Sequence, residues 1–145
     1  MQKVFLDANI FFAAVRSSTG GSYFIMELAK RGHIRIVTVA YALVEAERNI
    51  EKKIGEDALH AHYENLLATQ PIIQAVAKIP FVFKSKLAVV MPEKDIPILA
   101  GTLISGAEAL ITLDRKHFLE NEKLLKINMP MPIITPGDFL QKYFS

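Results

Sequence analysis

The chain has 145 residues, the length of one domain, and its 51% hydrophobic content with a mean hydropathy of +0.25 supplies a sizeable core and excludes general disorder. Seventeen basic against fifteen acidic side chains leave a formal charge of +2, too even to mark a nucleic-acid binder by composition. The absence of cysteine excludes disulfides, thiol catalysis and cysteine-ligated zinc; no stretch reaches the roughly 18 apolar residues of a membrane span, so a cytoplasmic protein without a membrane partner is expected.

Short β-like runs alternate with longer helical ones, the pattern of a three-layer α/β/α sandwich around a central, mainly parallel sheet. Residues 4–6 are unbroken apolar, as expected of a strand buried on both faces, and a short helix is expected over 8–15. The loop Ser17-Ser18-Thr19-Gly20-Gly21 leads into a helix over 22–29 that stops at Gly32. A strand over 34–39 and helices over 41–53 and 56–68 follow, the last carrying His60 and His62 on an exposed face. Pro71 and Pro80 interrupt the stretch 70–90, whose apolar residues suit strand and helix equally; a strand near 88–90 is expected and the rest stays open. Asp95 suits the N-cap of the next helix, with Pro97 in its first turn and Gly106 as its stop. A strand over 110–113, a short one over 132–134 and a closing helix over 136–143 complete a single domain, 1–145.

Four acids stand at the edges of these elements. Asp7 closes the first strand, Asp114 closes the strand over 110–113, Asp95 opens a helix and Glu45 lies early in the helix over 41–53. In an open parallel sheet, ligands bind beyond the carboxyl ends of the strands, so these side chains can share one crevice. Carboxylates brought together repel one another unless a cation neutralises them, and such hard oxygen donors suit Mg²⁺ or Mn²⁺. The set therefore reads as a metal-dependent site for phosphate chemistry. On a helical wheel Glu45 falls beside Arg48 and Lys52, whereas Glu47 lies nearer the apolar arc between Val44 and Ile54. Both acids remain open from the wheel alone. Lys94, Arg115 and Lys116 flank the last two acids and are candidates for receiving nucleic-acid phosphates. His117 lacks a second histidine at ligand spacing and is not expected to act as a base or a zinc ligand.

Val4-Phe5-Leu6-Asp7-Ala8-Asn9, Leu43-Val44-Glu45, Asp95-Ile96-Pro97-Ile98-Leu99-Ala100 and Ala107-Glu108-Ala109-Leu110-Ile111-Thr112-Leu113-Asp114, in this order, resemble the motifs of the PIN-domain family, the VapC-like toxin ribonucleases of toxin–antitoxin pairs. The closing Ile134-Thr135-Pro136-Gly137-Asp138-Phe139-Leu140 resembles the tail of one branch of that family. Ala8, Leu113 and His117 depart from it, standing where Thr, Gly and a further acid are common, and Glu93-Lys94-Asp95 lacks a second Asp. The resemblance implies a ribonuclease whose Asp7, Glu45, Asp95 and Asp114 hold one or two Mg²⁺ or Mn²⁺ ions, with Asn9 and Thr112 in support. It further implies an RNA substrate, a small antitoxin protein and a homodimer. Two other readings accompany it: phosphoryl transfer through an aspartyl phosphate on Asp7, and a catalytically silent RNA- or protein-binding module.

Overall fold

The computed structural model describes residues 1–76 and 79–145. Strands β1 (Gln2–Leu6), β2 (Ile34–Thr38), β3 (Ile72–Ile73), β4 (Leu110–Ile111) and β5 (Ile133–Ile134) form one sheet in the order β3-β2-β1-β4-β5, with every adjacent pair parallel. The centre falls to β1, whose Val4, Phe5 and Leu6 are wholly buried, as a strand covered on both faces requires. Chain order runs outward from β1 through β2 to β3, then returns to β4 on the other side of β1. The reversal between β1 and β4 opens a crevice at their carboxyl ends.

Eight α-helices cover the sheet among the described residues: α1 (Ala8–Arg16), α2 (Gly21–Lys30), α3 (Ala40–Lys53), α4 (Glu56–Thr69), α5 (Phe81–Ala88), α6 (Ile96–Ser105), α7 (Glu122–Leu125) and α8 (Pro136–Phe144). Right-handed crossovers put the helices of the outward connections on one face and those of the return on the other. Accordingly α1 packs on α2, α3 and α4, and α2 on α8, while α6 packs against β2 and α5. The approach of α6 to the sheet depends on Gly101: a Cβ there would lie 2.6 Å from Val39 Cγ1 and 2.9 Å from Phe5 Cε2.

Three expectations are corrected. Residues 88–90 are no strand: Ala88 ends α5, Val89 and Val90 form a turn, and the sheet edge is taken by Ile72–Ile73 just after Pro71. The error has a cause, since Phe81, Val82 and Val89 are 83%, 65% and 73% exposed and the helix is held by Leu87, with Phe83 partly buried against the core. Within the open stretch 70–90, residues 77 and 78 lie outside the described residues. Asp95 does not cap α6 through its side chain, because a 3₁₀ turn over Glu93–Asp95 already sets the backbone helical there. His62 is not on an exposed face; it is buried in α4 with its ring edge against Phe11 of α1, 5.9 Å between centroids at 75°.

Candidate functional site

Asp7 stands one residue past β1 and caps α1, its Oδ1 accepting the Ala8 N–H at 2.7 Å. Its other oxygen, Oδ2, accepts from Thr112 Oγ1 at 2.8 Å and from Asn9 Nδ2 at 3.4 Å. Thr112, just past β4, also accepts the Asp114 N–H at 3.1 Å, so one hydroxyl links the first acid to the last. Asn9 closes the arrangement from below, with Oδ1 accepting the Leu113 N–H at 3.1 Å. Because β1 and β4 are register partners, Leu6 opposite Ile111, the residues that leave these two strands are held side by side.

Around this frame a cavity of about 190 Å³ is lined by Asp7, Glu45, Asp95 and Asp114 together. Sequence reading left Glu45 and Glu47 open; the structure brings Glu45 to the cavity and turns Glu47 toward α4, where it accepts the Tyr63 hydroxyl at 2.6 Å. The wheel misdirected because it counted Val44 and Ile54 as inward. Both are exposed, and the small Ala42 and Ala46 with Ile50 make the buried stripe of α3. Glu45 lies on its flank, in line with Asn49 and Lys53, which also face the cavity. These two residues were not anticipated. Their signal was the i, i+4, i+8 spacing from Glu45, which keeps all three on one side of a helix.

Lys94 reaches the same cavity, whereas Arg115 lines a neighbouring groove and Lys116 lines neither. His117 was also undervalued. A short π-helical turn over Arg115–Leu119, begun by Asp114 Oδ1 accepting the His117 N–H at 3.0 Å, folds the imidazole back over the acids. Its Nδ1 lies 3.1 Å from Asp114 Oδ2 and 3.1 Å from Asp95 Oδ2. Only the Asp114 contact has hydrogen-bond geometry; Asp95 Oδ2 is buried without a hydrogen-bond partner among the described residues.

The acids feel one another. Burial, above all, pushes the Asp7 carboxyl from 3.8 up to about 6; the Thr112 and Ala8 hydrogen bonds oppose that, while Asp95 and Glu45 add repulsion. Asp95 is also raised, chiefly by burial, with Lys94 and His117 acting the other way and Asp114 and Glu45 adding to it. Tyr41 at the start of α3 is raised by burial and then by Glu45, a further sign of concentrated negative charge. Ligand atoms of Asp95, Asp114 and His117 all fall within 4.8 Å of one another, close enough for one ion.

The family profile described as PIN domain matches residues 3–116, the span from β1 to just past Asp114. The chain belongs to the PIN-domain family. The fold of this PIN domain is similar to that in the crystal structure of VapBC2 from Rickettsia felis bound to a DNA fragment from their promoter. The TM-score is 0.66 over 92% of this chain and 98% of that one, at 18% identity, a likeness of fold. No curated protein matches it. Among the described residues no helix is long and apolar enough to cross a membrane.

Proposed function

We propose that this PIN domain is a metal-dependent endoribonuclease that hydrolyses RNA phosphodiesters, acting as the toxin of a toxin–antitoxin pair. The observation that carries the proposal is the convergence of Asp7, Glu45, Asp95 and Asp114 on one small cavity at the reversal of strand order. The donor set fits a hard divalent cation: the ligand atoms are carboxylate oxygens, Asp7 and Asp95 are raised by burial and by neighbouring acids, and Asp95 Oδ2 is buried without a donor among the described residues. Mg²⁺ or Mn²⁺, as one or two ions, would be held by these four residues. When bound, the cation supplies Lewis-acid activation of water and neutralises charge at the phosphodiester.

The chain's own groups divide the remaining work. Thr112 and Asn9 fix the Asp7 carboxylate through its Oδ2, so the acid is oriented before any ligand arrives. Glu45 and Asp95 approach from α3 and the start of α6, which lets the cavity close on a cation from separate elements. Lys94 and Lys53 offer ammonium groups at the cavity, where an RNA phosphate would otherwise meet only negative charge. A small antitoxin protein blocking the cavity and a homodimer complete the proposal. The name of the structural neighbour, VapBC2, supports a partnered assembly.

The test is cleavage of end-labelled structured RNAs with Mg²⁺ or Mn²⁺, with and without chelator, for the wild type and Asp7→Asn purified identically. Metal-dependent cutting by the wild type and its loss in the variant are expected; equal cutting by both would exclude this site. A second reading, a catalytically silent RNA- or protein-binding PIN module, is favoured by His117. Its Nδ1 sits 3.1 Å from one carboxylate oxygen each of Asp95 and Asp114, in the space a bound cation would take. RNA binding that persists in chelator without turnover in any metal would decide for that reading.

A further inference from the structure

Beside the acidic cavity lies a second, larger groove of about 510 Å³, lined by two arginines, Arg16 and Arg115, and by no acid. Two helix N-termini meet in it. Those of α2 and α8 approach so closely that a Cβ on Gly21 would lie 3.0 Å from Pro136 Cβ and 3.2 Å from the Gly137 nitrogen. The N-terminal N–H groups of a helix have no partner within it, and they carry the positive end of its dipole. The cap of α2, Gly20, offers no side chain to these donors, and neither Gly21 nor Ser22 nor Gly137 donates its N–H to another described residue. Arg16 and Arg115 form no ion pair among the described residues.

Ser22 is the decisive residue. It is only 4% exposed, lines this groove, and its hydroxyl makes no hydrogen bond with any described residue. With no acceptor among the described residues, that hydroxyl is free to donate to an anion in the groove. Two arginines, two converging helix N-termini and an unpartnered hydroxyl lining the groove together make a cradle for a phosphate group.

We infer that this groove binds a backbone phosphate of an RNA strand, two or three nucleotides away from the phosphodiester at the acidic cavity. The inference rests on the nuclease reading for the choice of RNA as the source of the phosphate. Two connections join groove and cavity. Asp114 lines the one and Arg115 the other; α1 gives Asn9 to the cavity and Arg16 to the groove. Seven residues of helix separate Asn9 from Arg16, about 10 Å at ~1.5 Å each, a span that a strand of two or three nucleotides covers. A strand seated at both places would be held in one direction across the acids.

The experiment is fluorescence anisotropy of a labelled single-stranded RNA in chelator, titrated with salt, on the full chain. Wild type is compared with the double variant Arg16→Gln/Arg115→Gln and with Ser22→Ala, each checked by thermal unfolding. The double variant should weaken binding and lower the slope of log affinity against log salt by about 0.7, the share of one phosphate contact on a single strand. Ser22→Ala should weaken binding about 3-fold or more while its Tm stays level, since the hydroxyl has no partner among the described residues to lose. A purely structural serine would lower Tm and leave affinity alone, which would overturn the assignment. So would unchanged affinity and slope in the arginine variant. Stabilisation by inorganic phosphate with no effect of the variants on RNA binding would mark a free-phosphate site and overturn the RNA assignment. Displacement of RNA by polyaspartate at equal charge concentration would point to an acidic protein segment and likewise overturn it. Cleavage in Mg²⁺ is read separately. Cleavage with groove-independent binding removes the groove inference alone; groove-dependent binding without cleavage supports the groove and removes the nuclease reading.

Discussion

Asp7 concentrates the tension of the site in one carboxylate. Its pKa, raised from 3.8 to about 6, means that between those values the native chain holds a proton that the unfolded chain has released. Stability therefore falls as pH rises through about 4 to 6, and above that the folded protein carries the full cost of the charged group, on the order of 3 kcal/mol. Asp7→Asn keeps the shape and removes the charge. In chelator at pH 7 the variant should unfold at higher urea than the wild type, by up to about 3 kcal/mol, and the difference should vanish near pH 4. A variant less stable at pH 7 would mean that the hydrogen bonds of Asp7 outweigh its burial. Thr112 carries the complementary prediction. Its hydroxyl serves Asp7 Oδ2 and the Asp114 N–H together, so Thr112→Val should cost about 1–3 kcal/mol in the same unfolding measurement and weaken metal binding as well. Glu45 lines the cavity while Glu47, two residues on, accepts the Tyr63 hydroxyl, and the proposed metal role distinguishes them. Glu45→Gln should lose the rise in Tm that Mn²⁺ gives the wild type, whereas Glu47→Gln should keep it.

At the scale of elements, the packing of α4 on α1 depends on a histidine held neutral. His62 is 1% exposed and neither ring nitrogen has a partner among the described residues. Burial holds the imidazole below its usual 6.5, with Glu47 opposing. The unfolded chain takes up a proton there before the native one does, so this group removes stability as pH falls below about 6.5. That sign is opposite to that of Asp7, and variants separate the two. His62→Leu should flatten the loss of stability between pH 6.5 and 5, read as the urea midpoint at each pH; an unchanged slope would place the titration elsewhere. The contact of α6 with the sheet is tighter still. Gly101→Ala should destabilise the fold by roughly 1–3 kcal/mol through overpacking against Val39 and Phe5.

Elements whose apolar residues point inward were legible in the sequence. Residues 4–6 read as a strand because both faces are buried; of the strand expected over 110–113 the sheet keeps Leu110–Ile111, and Leu113 is already exposed before Asp114. The helix over 81–88 was not legible, because Phe81 and Val82 face solvent and its apolar residues carry no clear period. Glu45 was half legible: its motif pointed to it, while a wheel weighted by large residues could not see that two alanines make the contact. His62 and His117 were read as bystanders because burial and a π-helical turn are decided by tertiary packing.

For the whole molecule, the order β3-β2-β1-β4-β5 explains why residues more than a hundred positions apart share one cavity. The reversal of direction at β1 and β4 makes a crevice, and the sequence fills its rim with acid on one side and with arginine and helix N-termini on the other. Alternation of strand and helix was enough to infer a mainly parallel sheet. Strand order was not readable, because it depends on which face each crossover covers. The proposed division of the rim, cations at the acids and phosphate at the groove, gives the molecule a polarity for a bound strand.

The most direct measurement is a Mn²⁺ titration at pH 7.5 followed by electron paramagnetic resonance of the free ion. It compares the wild type with Asp7→Asn and with Asp95→Asn, each shown to be folded. The wild type should take up one or two ions per chain, and both variants should lose most of that binding. Equal uptake by all three would contradict a cation site built from these acids, and with it the hydrolytic role assigned to them.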